Sequence, residues 1–142
     1  MDTVFYTIGD LVVMTGLTDR TIRSYIASGI LQGDKQDGRW RFTVEQVESF
    51  LLHPAVRPSI LAKQNAEVYD FLLDRKKTSR KACIILDLPD SDPEKVSQYF
   101  CRRITEGEGR DLRFFFDRNH GIPRVILRGD PDDLLRLMGQ TT

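Results

Sequence analysis

This 142-residue sequence holds little cysteine, no long apolar run and no net charge, and each scarcity removes a class of function. Its two cysteines, Cys83 and Cys101, are isolated, one in a β-like run and the other in a helix-like one. That argues against a disulfide framework and makes a reducing cytoplasm the default location. No apolar stretch approaches the roughly 18 residues of a membrane span. The start, M-D-T-V-F-Y-T, lacks the basic n-region and small-residue cleavage site of a secretory signal. Lys+Arg and Asp+Glu cancel at 21 each, unlike a globally basic nucleic-acid coat protein. A phosphate-cradling glycine loop, a nucleophile elbow and an H-E-x-x-H helix are all missing, so an enzyme reading has no motif to stand on and no cofactor is expected.

The charge that is present is uneven. Residues 1–58 carry six basic and seven acidic side chains, residues 59–81 six and three, and residues 82–142 nine and eleven. Nucleic-acid binding would therefore have to come from a local basic stripe.

The chain opens with Y-T-I-G-D-L-V-V-M-T-G-L. Thr7 with Asp10 three residues on approximates a capping box, Ile8, Leu11 and Val12 form a short apolar stripe, and Gly16 stops the helix. Thr18 then caps a second helix over about Asp19–Ser28, with Asp19 suited to its dipole. Two short helices joined by a tight Gly-containing turn outline a helix-turn-helix. The following I-L-Q-G-D-K-Q-D-G-R-W-R-F-T predicts a β-hairpin with arms Ile30–Gln32 and Arg39–Phe42, the size of a wing. Thr43 caps a third helix bearing Val44, Val47, Phe50 and Leu51, His53-Pro54 ends it, and Pro58 precedes a fourth. The basic break R-K-K-T-S-R-K at 75–81 is the best boundary, read as a solvated linker or a supplementary phosphate contact.

Beyond it the period changes. A-C-I-I-L-D-L-P reads as a buried-type strand. D-P-E-K-V-S-Q-Y-F-C-R-R-I reads as a helix, and two strands joined by N-H-G as a hairpin. D-P-D-D-L-L-R-L-M, with Pro131 in its first turn, reads as a last helix. The order β-α-β-β-α implies a three-stranded sheet with helices on one face. The fold class is therefore α+β. The expected division is a winged helix-turn-helix over 1–57, a linking or dimerisation helix over 58–75, and a small effector, dimerisation or partner domain over 80–142.

Residues 6–52 resemble the MerR family of winged helix-turn-helix DNA-binding domains. The helix opening I-G-D-L, the T-G turn, T-I-R-S-Y at Thr21–Tyr25, the exit Gly29-Ile30-Leu31 and the wing G-R-W-R-F at Gly38–Phe42 carry the likeness in order. Arg39 stands where the family usually has tyrosine, and Trp40 where it has arginine. The R-F followed by an E-x-V-x-x-F-type helix is also similar to excisionase-type domains. The resemblance implies a DNA-binding transcriptional regulator that binds double-stranded DNA as a homodimer, through a helix after the binding domain, at near-palindromic operators. An excisionase-like architectural binder, or a protein-interaction adaptor using the C-terminal sheet, is the alternative.

The side chains fit such a role. A helix in the major groove needs short or flexible polar residues near its N-terminus, and Arg20, Thr21 and Ser24 meet that demand. Arg23 suits a phosphate contact, as do Lys35, Arg39 and Arg41 from the wing. Tyr25 belongs to the matched recognition motif. Trp40 either stacks on a sugar or shields a phosphate contact, or packs on the third helix. In the fourth helix Leu61, Val68 and Leu72 approximate a seven-residue seam broken by Gln64 and Asn65, and packing on the wing domain is its other reading. The edge strands of the C-terminal sheet are another route to a dimer. The cysteine cluster expected of a metal sensor is missing, and His53 and His120 have no ligand partners nearby. Asp87, Asp90, Asp92 and Glu94 are assigned to turns and helix caps. A small-molecule effector is left open.

Overall fold

The computed structural model describes residues 5–74, 78–106, 112–119 and 121–139. Helix α1 spans Ile8–Thr15. Its capping box is complete: the Asp10 amide donates to Thr7 Oγ1 at 3.1 Å, and the Thr7 amide donates to the Asp10 carboxylate at 3.0 Å. Gly16 ends it in the left-handed region, φ 75°, with its N–H on the Val12 carbonyl. Helix α2, Asp19–Ala27, is capped by Thr18, whose Oγ1 accepts from the Thr21 amide at 3.2 Å.

The wing forms, and its first arm lies further along the chain than the sequence predicts. Strand β2 is Asp34–Gln36, pairing antiparallel with β3, Arg39–Thr43. Asp37 and Gly38 both have positive φ, 52° and 77°. That is the signature of a two-residue type I′ turn, which fixes the register as Gln36↔Arg39. Ile30 and Leu31 are therefore not a strand; Leu31 is buried in the core. A short strand β1, Phe5–Tyr6, pairs with the other side of β3. Thr43 closes a second capping box with Gln46 to start α3, Val44–Leu51.

Helix α4 runs Arg57–Leu73. Of the basic break after it, Arg75, Lys76 and Lys77 lie outside the described residues, as does His120. The C-terminal order is as predicted: β4 (Ala82–Asp87), α5 (Pro93–Thr105), β5 (Arg113–Asn119), β6 (Ile122–Gly129) and α6 (Pro131–Gly139). The sheet order is β4-β6-β5, all antiparallel. Phe114 stacks on Phe100 of α5 with ring centroids 5.3 Å apart. Tyr99 of α5 donates to the Leu137 carbonyl of α6 at 2.9 Å.

Helices α5 and α6 lie together, as the element order implies, and the opposite face of the sheet is covered as well. Alternation sends Arg113, Asp117 and Arg128 to the face opposite Phe114 and Phe116, and α4 lies there. Its Gln64 amide donates to the Phe116 carbonyl at 3.4 Å, and Glu67 accepts from Arg113 at 3.3 Å and Arg128 at 2.9 Å. Gln64, which interrupts the seven-residue seam, is thus buried against the sheet. The Asp92 carboxylate caps α5 through the Glu94 amide, and Asp87 forms a bidentate pair with Arg124 that holds its carboxyl below the usual range.

The N-terminal and C-terminal halves share one buried cluster, from Tyr6, Leu11, Ile22 and Phe50 to Phe100, Phe114, Leu127 and Leu134. Helix α1 packs on both α5 and β5. Tyr6 Oη hydrogen-bonds Ser97 Oγ at 2.9 Å; burial raises the phenol's pKa, and the Ser97 bond opposes the rise. Burial also raises both thiols, Cys101 far more than Cys83, where the nearby Arg128 charge pulls the other way. Since the thiolate is the nucleophile, an aromatic disulfide reagent at pH 8 should modify Cys83 slowly in the native protein, and Cys101 only after urea unfolding. Equal rates at the two positions, resolved by peptide mapping, would contradict this packing.

Candidate nucleic-acid interface

Helix α2 has two faces of different chemistry. Ile22 is fully buried, and Tyr25 lies edge-on to Phe50 of α3, ring centroids 5.5 Å apart at 65°. Tyr25 is half-buried, and its carbonyl accepts from the Leu31 amide at 3.1 Å, tying the helix exit. The other face, Arg20, Arg23, Ser24 and Ala27, is exposed at i, i+3, i+4 and i+7 spacing. Gly29, φ 82°, then turns the chain away.

The residues of that face are differently engaged. The Arg23 guanidinium binds the Asp19 carboxylate one turn earlier at 2.6 Å, both side chains more than half exposed. The Thr21 hydroxyl accepts from Thr18 Oγ1 at 2.9 Å and so belongs to the helix cap. Ser24 Oγ donates to the Thr21 carbonyl at 2.7 Å, which leaves its lone pairs turned outward. Arg20 is exposed at the second position of the helix.

Strand alternation divides the wing cations between two faces. Trp40 stacks parallel on Phe42, centroids 6.4 Å apart, and Lys35, its cross-strand neighbour, holds its ammonium 5.9 Å from the indole centroid. Arg39 and Arg41 point the other way, both exposed, Arg41 with its guanidinium carbon 6.0 Å from the Phe5 ring centroid. The sequence places Lys35, Arg39 and Arg41 together in one wing; the structure groups Arg39 with Arg41 and sets Lys35 apart on Trp40.

Residues 6–53 match the family described as MerR HTH family regulatory protein. This segment is a MerR-type helix-turn-helix domain. The matched family is one of DNA-binding regulators, and the match covers this N-terminal segment alone. No curated protein and no solved structure matches the chain.

Outside the MerR-type domain, residues that hold it to the sheet escape a sequence reading. Arg57 at the start of α4 grips Asp117 of β5 with bonds of 2.5 and 3.0 Å, and Arg118 binds Glu48 of α3 at 2.5 Å. Their one sequence signal is Asp117 itself, an acid closing the apolar run Phe114–Phe116. His53 is used locally, its Nδ1 accepting from the Ala55 amide. Among the described residues no three His, Cys, Asp or Glu side chains converge as a metal site would require. Nor is any helix among them long and apolar enough to cross a membrane.

Proposed function

We propose that the chain is a sequence-specific transcriptional regulator whose α2 enters the major groove while the wing rests on the phosphate backbone. The observation that carries this reading is the exposed polar face of α2, Arg20–Arg23–Ser24–Ala27, in a MerR-type domain whose wing offers Arg39 and Arg41 on one side. Arg20 is assigned to a base edge, where bidentate contact is worth about 1–3 kcal/mol. Ser24 offers a second polar contact. Arg23, Arg39 and Arg41 are assigned to phosphates, which fix the register without reading sequence. Lys35 and Trp40 form the wing's other face, with Tyr25 and Thr21 setting the pose of the helix. The domain of residues 1–57 reads DNA, the helix over 58–75 connects it, and residues 80–142 serve assembly or a partner. A homodimer would bind a near-palindromic operator and act by occupying it.

The test begins by selecting a preferred duplex from a random library with the full chain, then measuring affinity by anisotropy. Arg20→Ala should lose about 5- to 150-fold in affinity for each half-site and relax preference at one position in it. Arg41→Ala should weaken all sequences alike and flatten the salt dependence by about one ion per half-site. If the chain retains no duplex at low salt, or if Arg20→Ala with Arg23→Ala leaves affinity unchanged, the reading fails.

A further inference from the structure

We propose that two copies of the chain pair through β4, antiparallel and edge to edge, with Lys81 of each opposite Asp87 of the other. The inference deepens the homodimer part of the reading above by naming its surface.

The three-stranded sheet has two outer strands, and they are treated differently. The outer strand β5 packs against α1, and its Phe116 carbonyl is taken by Gln64 of α4. Among the described residues no strand pairs with the other side of β4. The direction of its backbone groups follows from the ladder. The Leu88 amide donates to the Pro123 carbonyl at 2.9 Å, so Leu88 and Pro123 are a bonded pair. In an antiparallel ladder bonded and non-bonded pairs alternate. With Leu86↔Val125, Ile84↔Leu127 and Ala82↔Gly129 in register, those residues bond to β6. Cys83, Ile85 and Asp87 therefore aim their N–H and C=O groups at the open edge.

That edge lacks the devices that keep edges single. From Ala82 to Leu86 it carries no charge and no proline, only A-C-I-I-L. Ile85 is 52 % exposed in the middle of it. Charge stands only at the ends, Lys81 before the run and Asp87 after it, both exposed.

Charge of opposite sign at the two ends of an apolar strand is self-complementary under a two-fold axis. Pairing outward residues with outward residues leaves two central registers. One sets Ile85 against itself and Cys83 against Asp87. The other sets Cys83 against Ile85 and Lys81 against Asp87, with the axis at Ile84. The second joins unlike charges at both ends and apolar side chains between them, and cross-strand pairs of that kind stabilise a ladder. Arg124 already fixes the Asp87 carboxylate by two hydrogen bonds, 2.6 and 2.9 Å, and an ionised carboxylate has further lone pairs for an ammonium. Pairing would join the two sheets into one of six strands and consume the open edge of both copies, so assembly closes at two.

The full chain is tested by sedimentation at micromolar concentration, where a dimer is expected. Ile85→Pro removes an outward N–H while sparing the bonds to β6. It should weaken association at least about 100-fold with an unchanged far-UV spectrum. Ile85→Cys should form a covalent dimer on mild oxidation, the introduced thiol joined to Cys83 of the other copy, because bonded antiparallel residues stand at about 5.5 Å between Cα atoms. Should Ile85→Pro fail to fold, this cross-link decides. A monomeric wild type overturns the proposal. So does a dimer indifferent to Ile85→Pro but dissociated by Leu72→Lys, which would locate the contact on α4. A cross-link between the two introduced thiols overturns the register. Duplex binding by a monomer would sink this proposal and leave the DNA reading standing; a β4 dimer that binds no duplex would do the reverse.

Discussion

Arg57→Ala should lower the free energy of unfolding by about 3 kcal/mol, the lower end for breaking a buried ion pair. The Asp117 side chain is 8 % exposed, and its two oxygens are held by the Arg57 fork. Without the guanidinium, the carboxylate keeps as hydrogen-bond donor among the described residues only the Arg118 amide at 2.8 Å, and water has poor access to replace what was lost. Arg57 is itself about a quarter exposed, which is why the upper end of the range does not apply. Urea titration of the full chain measures the effect. Replacing both partners, Arg57→Met with Asp117→Leu, should recover most of the loss, because the cost lies in the orphaned charge. If the single and double replacements are equally destabilised, packing of the arginine stem is the cause instead.

Gly16→Ala is the second large effect, a fall of roughly 2–5 kcal/mol. Two costs add. At φ 75° a side chain pays about 1–2 kcal/mol for the left-handed backbone. A Cβ at this position would also overlap the Phe115 ring, which is buried and has little room to move; overpacking of this kind costs about 1–3 kcal/mol. Gly29→Ala separates the terms. Its φ is 82° and open space surrounds it, so it should pay the backbone cost alone. Thermal melts of the two variants should differ by several degrees, and identical melting temperatures would show that Phe115 yields.

Both substitutions lie on contacts that no local pattern announces, and that marks the limit of the sequence. The helix-turn-helix is legible because its signals are short-range. Thr7 with Asp10, Thr18 before Asp19, and the Asp37-Gly38 pair each set local geometry within four residues. The wing's first arm is misplaced in the sequence reading because Ile30 and Leu31 look like a strand by hydropathy. The turn demands its positive φ values at 37 and 38, and the ladder must start on the residues directly either side, Gln36 and Arg39. The exposed α2 face follows from helical spacing, yet the Arg23–Asp19 and Thr21–Thr18 bonds require coordinates. The seat of α4 is illegible for another reason. Its seam of Leu61, Val68 and Leu72 is more apolar than the face it buries, which carries Gln64 and Glu67. Those two are buried because β5 and β6 supply a carbonyl and two guanidiniums 46 to 61 residues away.

The bond between Arg23 and Asp19 has a consequence for how DNA binding would respond to salt. A cation that meets a phosphate expels a condensed counterion from the duplex, and the expelled ion is what makes affinity fall as salt rises. Arg23 arrives already neutralised. To bring its full charge to a phosphate it must give up Asp19, whose exposed carboxylate is then left without its counter-charge. Paired or parted, the two side chains together bring no net charge to the duplex. Arg23 can therefore add attraction at every ionic strength while contributing almost nothing to the salt dependence, which is left to arginines without an acidic neighbour of their own.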